Sequence, residues 1–574
     1  MTHQLSIALG QHSDPGRKDS NQDFHGACIP HEPLLTTKGI AVAIADGISS
    51  STVSRAASEA AVRALLDDYF CTSPAWSVKT SAQRVLLAAN SWLHAQTRHS
   101  PFRYDMDRGY VCTLSALIFK GTTAHLFHVG DTRIYRLQDG LLEQLTNDHR
   151  LRVSQEQSYL SRALGMHAQL DIDYQAFAIE PGEVFVLASD GVYEFVDAAL
   201  VSAAVGRHRD DLDAAARDIV EAALARGSDD NLTIQIVRIE DLPEQDVSVL
   251  QQQALELALP PLLEPGTSFD GYRILRELHA SSRSHVYLAK RESESEPVAI
   301  KIPSLDLRGD PAYLERFLME DWIARRIHSP HVLRSRAPTH QRTWLYTVME
   351  FVDGQTLAQW LLDHPRADLE TIRDIVEQIA KGLRAFHRME MLHQDLRPAN
   401  VMIDAHGTVK LIDFGAAHVA GVAELDASES APAILGTAQY TAPEYFLGEP
   451  ATTRSDLFSL GVITYQMLSG RLPYGAEVAK ARTRAAQRAL RYRSVLNDER
   501  EIPAWLDDVL RKATHPDPSK RYEELSEFLY DLRHPGTAYL NRTRAPLIER
   551  NPAAVWQAIS FALAVIVLIL LATR

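Results

Sequence analysis

Between residues 391 and 415 the chain reads MLHQDLRPANVMIDAHGTVKLIDFG. Asp395 is followed five residues on by Asn400 and eighteen on by Asp413, which opens the triplet Asp413-Phe414-Gly415. That spacing suits phosphoryl transfer. One carboxylate can accept a hydroxyl proton while the amide and the other carboxylate hold Mg²⁺ on ATP. The apolar run 409–412 predicts a short buried strand that presents Asp413 at its end.

At 574 residues the chain has room for several domains. Apolar residues make up 45% and charged residues 23%, ordinary values that leave ample material for cores. The formal net charge of -15 argues against nucleic acid as a partner, which calls for a basic surface. Cys28, Cys71 and Cys112 lie far apart and offer neither a disulfide framework nor zinc spacing, which fits a reducing compartment. The N-terminal stretch has no basic region and too short an apolar run for a signal peptide.

Over residues 1–240, short Gly-bounded runs with period-two alternation predict strands at 39–44, 124–129 and 183–188. Helical apolar spacing falls at 55–69, 81–98 and 212–225. Grouped strands with helical hairpins between them predict stacked sheets flanked by helices. Acidic residues gather at the predicted strand ends and turns: Asp23, Asp46 before Gly47, Asp131, Asp190 before Gly191, and Asp230. Hard divalent cations such as Mg²⁺ and Mn²⁺ prefer oxygen ligands of this kind. A neighbouring glycine lets its backbone carbonyl approach a metal. His125 and His128 lie within a predicted strand and read as packing or surface residues, and Cys112 as a small buried one.

This set resembles the metal-dependent PPM (type 2C) serine/threonine phosphatases. The resemblance implies a β-sandwich flanked by helices and two metals, with a third looser one, activating water for direct attack on a phosphoester. It implies that Asp46 bridges the metals and the Gly47 carbonyl binds one, that Asp190 and Asp230 complete the other, that Asp23 holds metal-bound water and that Asp131 serves the third metal. Three departures stand out. Asp46-Gly47-Ile48-Ser49-Ser50 replaces Asp-Gly-X-Gly-Gly, Ile48 cannot act as the acid that some members place there, and Gln22 replaces a common Glu. Either Arg17 or Lys18 would meet the substrate phosphate; spacing favours the second and residue type the first.

Residues 241–268 are acidic, Gln-rich and Pro-containing and read as a linker, with a short helix predicted at 247–259 before Pro260 and Pro261. Strands are predicted at 272–278, 285–290 and 297–301, a helix at 312–327 and a further strand with a hinge at 344–352. With the segment 391–415, residues 269–535 resemble the bilobal serine/threonine protein kinases. The resemblance implies that Lys301 grips the α/β-phosphates of ATP and Glu320 holds Lys301. It implies that Glu350 and Val352 offer backbone groups to adenine, Asp395 is the base, Arg397 steadies the moving phosphoryl group, and Asn400 and Asp413 hold Mg²⁺. Gly436-Thr437 and Ala442-Pro443-Glu444 resemble the end of an activation segment; Asp456 and Arg521 match structural positions. His279, Ser281 and Ser284 stand where the family carries phosphate-loop glycines, although serines can still donate N–H and hydroxyl groups and Arg283 adds charge. Gln394 replaces the Arg that often answers to activation-loop phosphate.

Residues 553–573 carry no charge and are long enough, at about 1.5 Å per residue, to span a bilayer core of about 30 Å. Trp556 sits near one end; Arg542, Arg544 and Arg550 precede the run and Arg574 alone follows it. The charge bias predicts a single-pass tail anchor in the inner (cytoplasmic) membrane, with 536–552 as a tether and both domains cytoplasmic. The expected molecule is multidomain α+β, a bifunctional kinase and phosphatase acting on protein or phosphoprotein substrates, using Mn²⁺ or Mg²⁺ and Mg-ATP, with autophosphorylation near Ser428, Ser430, Thr437 and Thr441. A phosphatase regulated by a kinase-like nucleotide-binding or docking module is the alternative.

Overall fold

The structure is a computed structural model. It describes residues 4–105, 108–138, 140–152, 158–243, 257–291, 296–307, 310–336, 342–424, 438–496, 502–536 and 539–540, and eight residues between 556 and 566. The chain falls into two compact units. One comprises Met1–Ala258 with Arg388–Met391 and His418–Ser430; the other comprises Leu259–His387, Leu392–Ala417 and Ala431–Arg574.

Among the described residues, the N-terminal part of the first unit holds twelve strands: β1 (Ser6–Asp14), β2 (Phe24–Cys28), β3 (Ile40–Ala45), β4 (Leu114–Lys120), β5 (Thr123–Val129), β6 (Arg133–Gln138), β7 (Leu141–Gln144), β8 (Arg150–Arg152), β9 (Ser158–Leu160), β10 (Asp173–Ala178), β11 (Val184–Ala188) and β12 (Leu232–Asp241). Ten of them make two antiparallel sheets, ordered β1-β12-β11-β6-β7 and β10-β5-β4-β3-β2. β3 shows how the sequence builds the layers. Its larger residues, Ile40, Val42 and Ile44, join Leu117, Phe119, Phe185 and Val237 in the core between the sheets. Its alternate residues, Ala41, Ala43 and Ala45, face the other way and admit helices Ser54–Cys71 and Val78–His99. Helices Ala198–Arg207 and Leu212–Ala225 pack on the outer face of the β1-β12-β11-β6-β7 sheet. Small residues towards helices and branched ones towards the facing sheet thus set a four-layer α/β/β/α order.

The pairing brings one set of strand ends together. β2 begins beside the end of β3, since Phe24 pairs with Ala45. β11 ends beside the starts of β6 and β12, with Ala188 opposite Arg133 and Ile234. Asp23, Asp46, Asp131, Asp190 and Asp230 therefore share one end of the sandwich. The first strand also pairs with the last along its length, from Ser6 with Asp241 to Asp14 with Leu232.

The second unit opens with a five-stranded antiparallel sheet: β13 (Ser268–Phe269), β14 (Tyr272–Ala280), β15 (Ser284–Arg291), β16 (Pro297–Pro303) and β17 (Thr347–Glu350). The helix Pro311–Ala324 starts on an Asp310 cap, whose carboxylate accepts the Tyr313 N–H, with Pro311 in the first turn. A small sheet follows, built from β18 (Gly354–Thr356), β20 (Val401–Asp404) and β21 (Val409–Leu411), after β19 (Met391–Leu392). Helices Leu369–His387, Thr453–Ser469, Ala504–Ala513 and Leu525–Arg533 complete the unit. Within the strand and hinge expected over 344–352 the strand is Thr347–Glu350, and the helix expected to reach 327 stops at Ala324, where Arg325 caps it ahead of the Ser329-Pro330 turn.

Most of the helix expected at 247–259 and of the apolar run 553–573 lies outside the described residues. Among the described residues no helix is long and apolar enough to cross a membrane. Those of the run that are described include exposed Trp556, Ile559, Leu563 and Ile566.

Candidate active sites

In the first unit the Asp46-Gly47 turn is fixed to the start of β4. The Asp46 N–H donates to Thr113 Oγ1 at 2.9 Å, and the Thr113 N–H donates back to the Asp46 carbonyl at 2.8 Å. Gly47 permits the close packing that follows: a Cβ there would lie 2.9 Å from the Gln22 carbonyl and 2.8 Å from Ser54 Cβ. Asp23 is buried, and its Oδ2 accepts the Ser189 hydroxyl at 2.8 Å. Asn231 is the brace between the two ends of the chain segment. Its Oδ1 accepts the Gln22 N–H at 2.8 Å, and its Nδ2 donates to the carbonyls of Pro15 and Ser20 at 3.0 and 3.1 Å. Gln22 spends its amide on the Ser51 carbonyl, 2.6 Å away, so the residue that replaces a Glu serves the loop rather than the acids.

Two cations face the carboxylates. Lys18 Nζ lies 3.2 Å from Asp230 Oδ2 and 3.4 Å from Ser49 Oγ, whereas Arg17 is exposed. Arg150 is hydrogen-bonded through Nε to Asp131 and through Nη2 to Asp190 at 2.8 Å. Among the described residues no group of three or more His, Cys, Asp or Glu side chains stands in metal-ligating geometry. The acids nevertheless carry the signature of missing positive charge. Burial pushes the Asp23 and Asp46 carboxyls up, Asp46 furthest, with Asp23, Asp190 and Asp131 repelling its charge. Burial and the neighbouring Asp131 and Asp230 push Asp190 up to about 7. Asp23 Oδ1 is buried with no hydrogen-bond partner. A divalent ion bound by carboxylate oxygens would satisfy both the crowding and the orphaned oxygen, so these residues fit such an ion.

His125 and His128 are buried side chains, as expected, with Nδ1 of each bonded to Tyr174 and Ser115 respectively. Cys112 is buried and all three cysteines are free thiols.

In the second unit Lys301, on β16, is buried and reaches Glu320 Oε2 at 2.6 Å and Asp413 Oδ1 at 3.2 Å. Burial works against its charge, but Glu320 and Asp413 outweigh that and hold Lys301 above its ordinary value. The same ammonium holds Asp413 below the usual carboxylate range. Asn400 Nδ2 donates to the Asp395 carbonyl at 2.9 Å and to its Oδ2 at 3.0 Å, and Arg397 Nε stands 3.5 Å from that Oδ2. The loop is held in place by buried Asp456, which accepts the N–H groups of His393 and Gln394, each at 3.0 Å, and pairs with His387 at 2.9 Å. Those bonds support Gln394 at φ +62, and Asp413 adopts φ +58 at the end of its strand. Glu444 and Arg521 form a buried ion pair at 2.6 Å.

Glu350 lies on β17, its carboxylate bonded to Lys410 at 2.8 Å, and Val352 is buried just beyond. The serine loop closes on itself. Ser281 Oγ accepts the N–H groups of Arg283 (3.3 Å) and Ser284 (3.1 Å), and the Ser281 N–H donates to the Ser284 carbonyl at 3.0 Å. The donors expected to face phosphate are therefore engaged within the turn. Thr441 is buried, which does not suit an acceptor for phosphate; Ser428, Ser430, Gly436 and Thr437 lie outside the described residues.

Sequence reasoning assigned no role to Thr113, Arg150, Ser189 or Asn231. Ser189 and Asn231 could have been found beside Asp190 and Asp230. Thr113 and Arg150 reach the acids only through the sheet pairing.

Comparison with known families agrees with this geometry. Residues 12–233 match the family described as protein phosphatase 2C, and residues 272–529 match the protein kinase domain. The chain thus carries a phosphatase 2C domain followed by a serine/threonine protein kinase domain. Its second half is similar to the serine/threonine-protein kinase PrkC of Bacillus subtilis, 29% identical over 270 residues, which cover 46% of this chain and 40% of that protein. It is 33% identical to PknA of Corynebacterium glutamicum over 265 residues, 45% of this chain and 54% of that one. The chain therefore spans about half the length of the curated relatives it matches. The first half is similar in structure to the serine/threonine phosphatase PstP/Ppp of Mycobacterium tuberculosis, 24% identical, with 41% of this chain and 99% of that one covered and a TM-score of 0.35.

Proposed function

We propose that this protein is a bifunctional serine/threonine protein kinase and metal-dependent protein phosphatase held at a membrane by residues 553–573. The observation that carries the kinase reading is the buried Lys301, which pairs with Glu320 at 2.6 Å and Asp413 at 3.2 Å at once. That arrangement prepares a cation for nucleotide phosphates and aims Asp413 into the same cleft. Asp395 accepts the proton of the attacking hydroxyl, and Asn400 holds its carboxylate in place. Arg397 supplies positive charge beside it. Asn400 and Asp413 are the residues that would hold Mg²⁺.

In the first unit Asp46, the Gly47 carbonyl, Asp190 and Asp230 would hold Mn²⁺ or Mg²⁺, with Asp23 behind them. When bound, such ions neutralise substrate phosphate and acidify the attacking water. Ser189 and Thr113 orient Asp23 and Asp46. Lys18 draws the phosphate in; its contact with Asp230 at 3.2 Å, against the exposure of Arg17, supports that choice between the two. Ile48 offers no proton, so the leaving oxygen takes its proton from water.

The self-closed Ser281–Ser284 turn favours a second reading, in which the kinase half binds nucleotide or docks substrate without transferring phosphate. One experiment separates the two. The full chain in detergent, with Asp190→Asn silencing the phosphatase, is incubated with labelled ATP and Mg²⁺ beside an Asp395→Asn control. Asp395-dependent incorporation is expected; ATP binding without incorporation would establish the docking module. Mn²⁺-dependent hydrolysis of a phosphopeptide that is abolished by Asp46→Asn is the matching test of the first unit.

The membrane reading rests on the uncharged run 553–573 and its preceding arginines. It places both domains on the cytoplasmic side of the inner membrane.

A further inference from the structure

Arg150 is the first residue of β8 and was given no role by its position in the sequence. Its guanidinium presents a separate nitrogen to each of three acids: Nε to Asp131, Nη2 to Asp190 at 2.8 Å, and Nη1 towards Glu194 at 3.6 Å. Asp131 is almost wholly buried and Arg150 itself is mostly so. A planar fork of fixed charge matches two carboxylates in a way that a flexible ammonium cannot.

The backbone beneath it is tied down. The neighbouring His149 N–H donates to the Gly130 carbonyl at 2.7 Å, and Gly130 N–H donates to His149 Nδ1 at 3.0 Å. Asp148 is gripped by Arg133 through two bonds of 2.9 and 2.7 Å, and His149 Nε2 meets Asp173 at 3.0 Å. Arg150 pairs with Leu160 across β8 and β9. The turn carrying Asp131 and the strand carrying Arg150 are thus bolted to each other, so the guanidinium is delivered by the fold.

We propose that Arg150 is a built-in cation between Asp131 and Asp190 that takes the place of a third, looser metal and limits the carboxylate cluster to two divalent ions. This rests on the reading of the first unit as a metal-dependent phosphatase and specifies how many ions it takes. Asp190 gives Oδ2 to the guanidinium, and its second oxygen would serve a divalent ion, while Asp131 is spent on the guanidinium. Arg150 is a positioning residue here: it orients Asp190 and neutralises Asp131.

The test is a count of bound Mn²⁺. The nucleotide-free full chain is titrated with MnCl₂ and free Mn²⁺ is followed by electron paramagnetic resonance, for wild type, Arg150→Ala, Arg150→Ala/Asp131→Asn and Asp46→Asn. Kinase-bound ions contribute equally to all four and cancel in the differences. Arg150→Ala is expected to take up one more Mn²⁺ per chain than wild type, and Asp131→Asn to remove that extra ion. Equal counts for wild type and Arg150→Ala, with the Asp46-dependent ions present in both, would overturn the proposal and leave the phosphatase reading standing. A count that Asp46→Asn leaves unchanged would instead sink the phosphatase reading itself. Where Arg150→Ala does not fold, Arg150→Gln, which keeps bulk and hydrogen bonding without charge, gives the same comparison.

Discussion

At the scale of single residues, buried charge decides most of what can be tested. Lys301 and Glu320 are both buried and 2.6 Å apart. Removing one member of such a pair leaves the other uncompensated, at about 3–5 kcal/mol. Lys301→Met is expected to abolish phosphotransfer and to destabilise the second unit by that amount, and Lys301→Met/Glu320→Gln to recover much of the stability but none of the activity. Denaturant melts of the three chains check this; equal stability of the single and double variants would contradict it. His128 gives a pH prediction. Burial, and then the nearby His149, hold it down at about 4, against an ordinary 6.5. The unfolded chain therefore binds a proton near pH 6.5 that the folded chain refuses until near 4, so this residue's contribution to stability falls as the solution is acidified across that window. The gap is worth about 3 kcal/mol. His128→Gln is expected to be less stable than wild type at pH 7, where Ser115 and Asn147 lose a partner, and to overtake it by pH 4. Parallel stability curves for the two chains would refute the assignment.

At the scale of elements, the serine turn between β14 and β15 is the part of the kinase domain that departs most from what its chemistry calls for. The hydroxyl of Ser281 takes up two backbone donors. Ser281→Gly removes that acceptor and frees the turn to approach phosphate. A several-fold lower KM for ATP, or stronger thermal stabilisation by nucleotide, is the expected result; weaker binding would mean that the serine itself contacts phosphate. Elements also show what the sequence reveals and what it hides. The helix Leu212–Ala225 and strand β3 were legible because alternation and helical spacing are local records of which face is buried. Strands β6 to β9 were not, being short and partly exposed, with little pattern to read. In the site, each acid stands beside Gly, Asn or a strand end and could be picked out, whereas Arg150 could not. Its partners lie 19 and 40 residues away and meet it only when β6, β8 and β11 are in place. Gln22 was legible as a departure, but its bond to Ser51 was not.

At the scale of the whole molecule, the activities proposed for the two domains oppose each other in one polypeptide, and the proposed anchor confines both to a surface. Truncation before Pro552 is expected to move the protein from a carbonate-resistant membrane pellet to the soluble fraction with both activities retained. Continued sedimentation with membranes would assign the attachment elsewhere. The order of the chain adds a matter of timing. The first and last strands of the phosphatase sheet lie side by side, Ser6 with Asp241, so the last partner that sheet needs is available once residue 241 has left the ribosome. Asp395 and Asp413 are more than 150 residues further on. During synthesis, the strands of the proposed eraser can pair before the proposed writer's acids have been polymerised, which gives the first domain a head start in folding over the second.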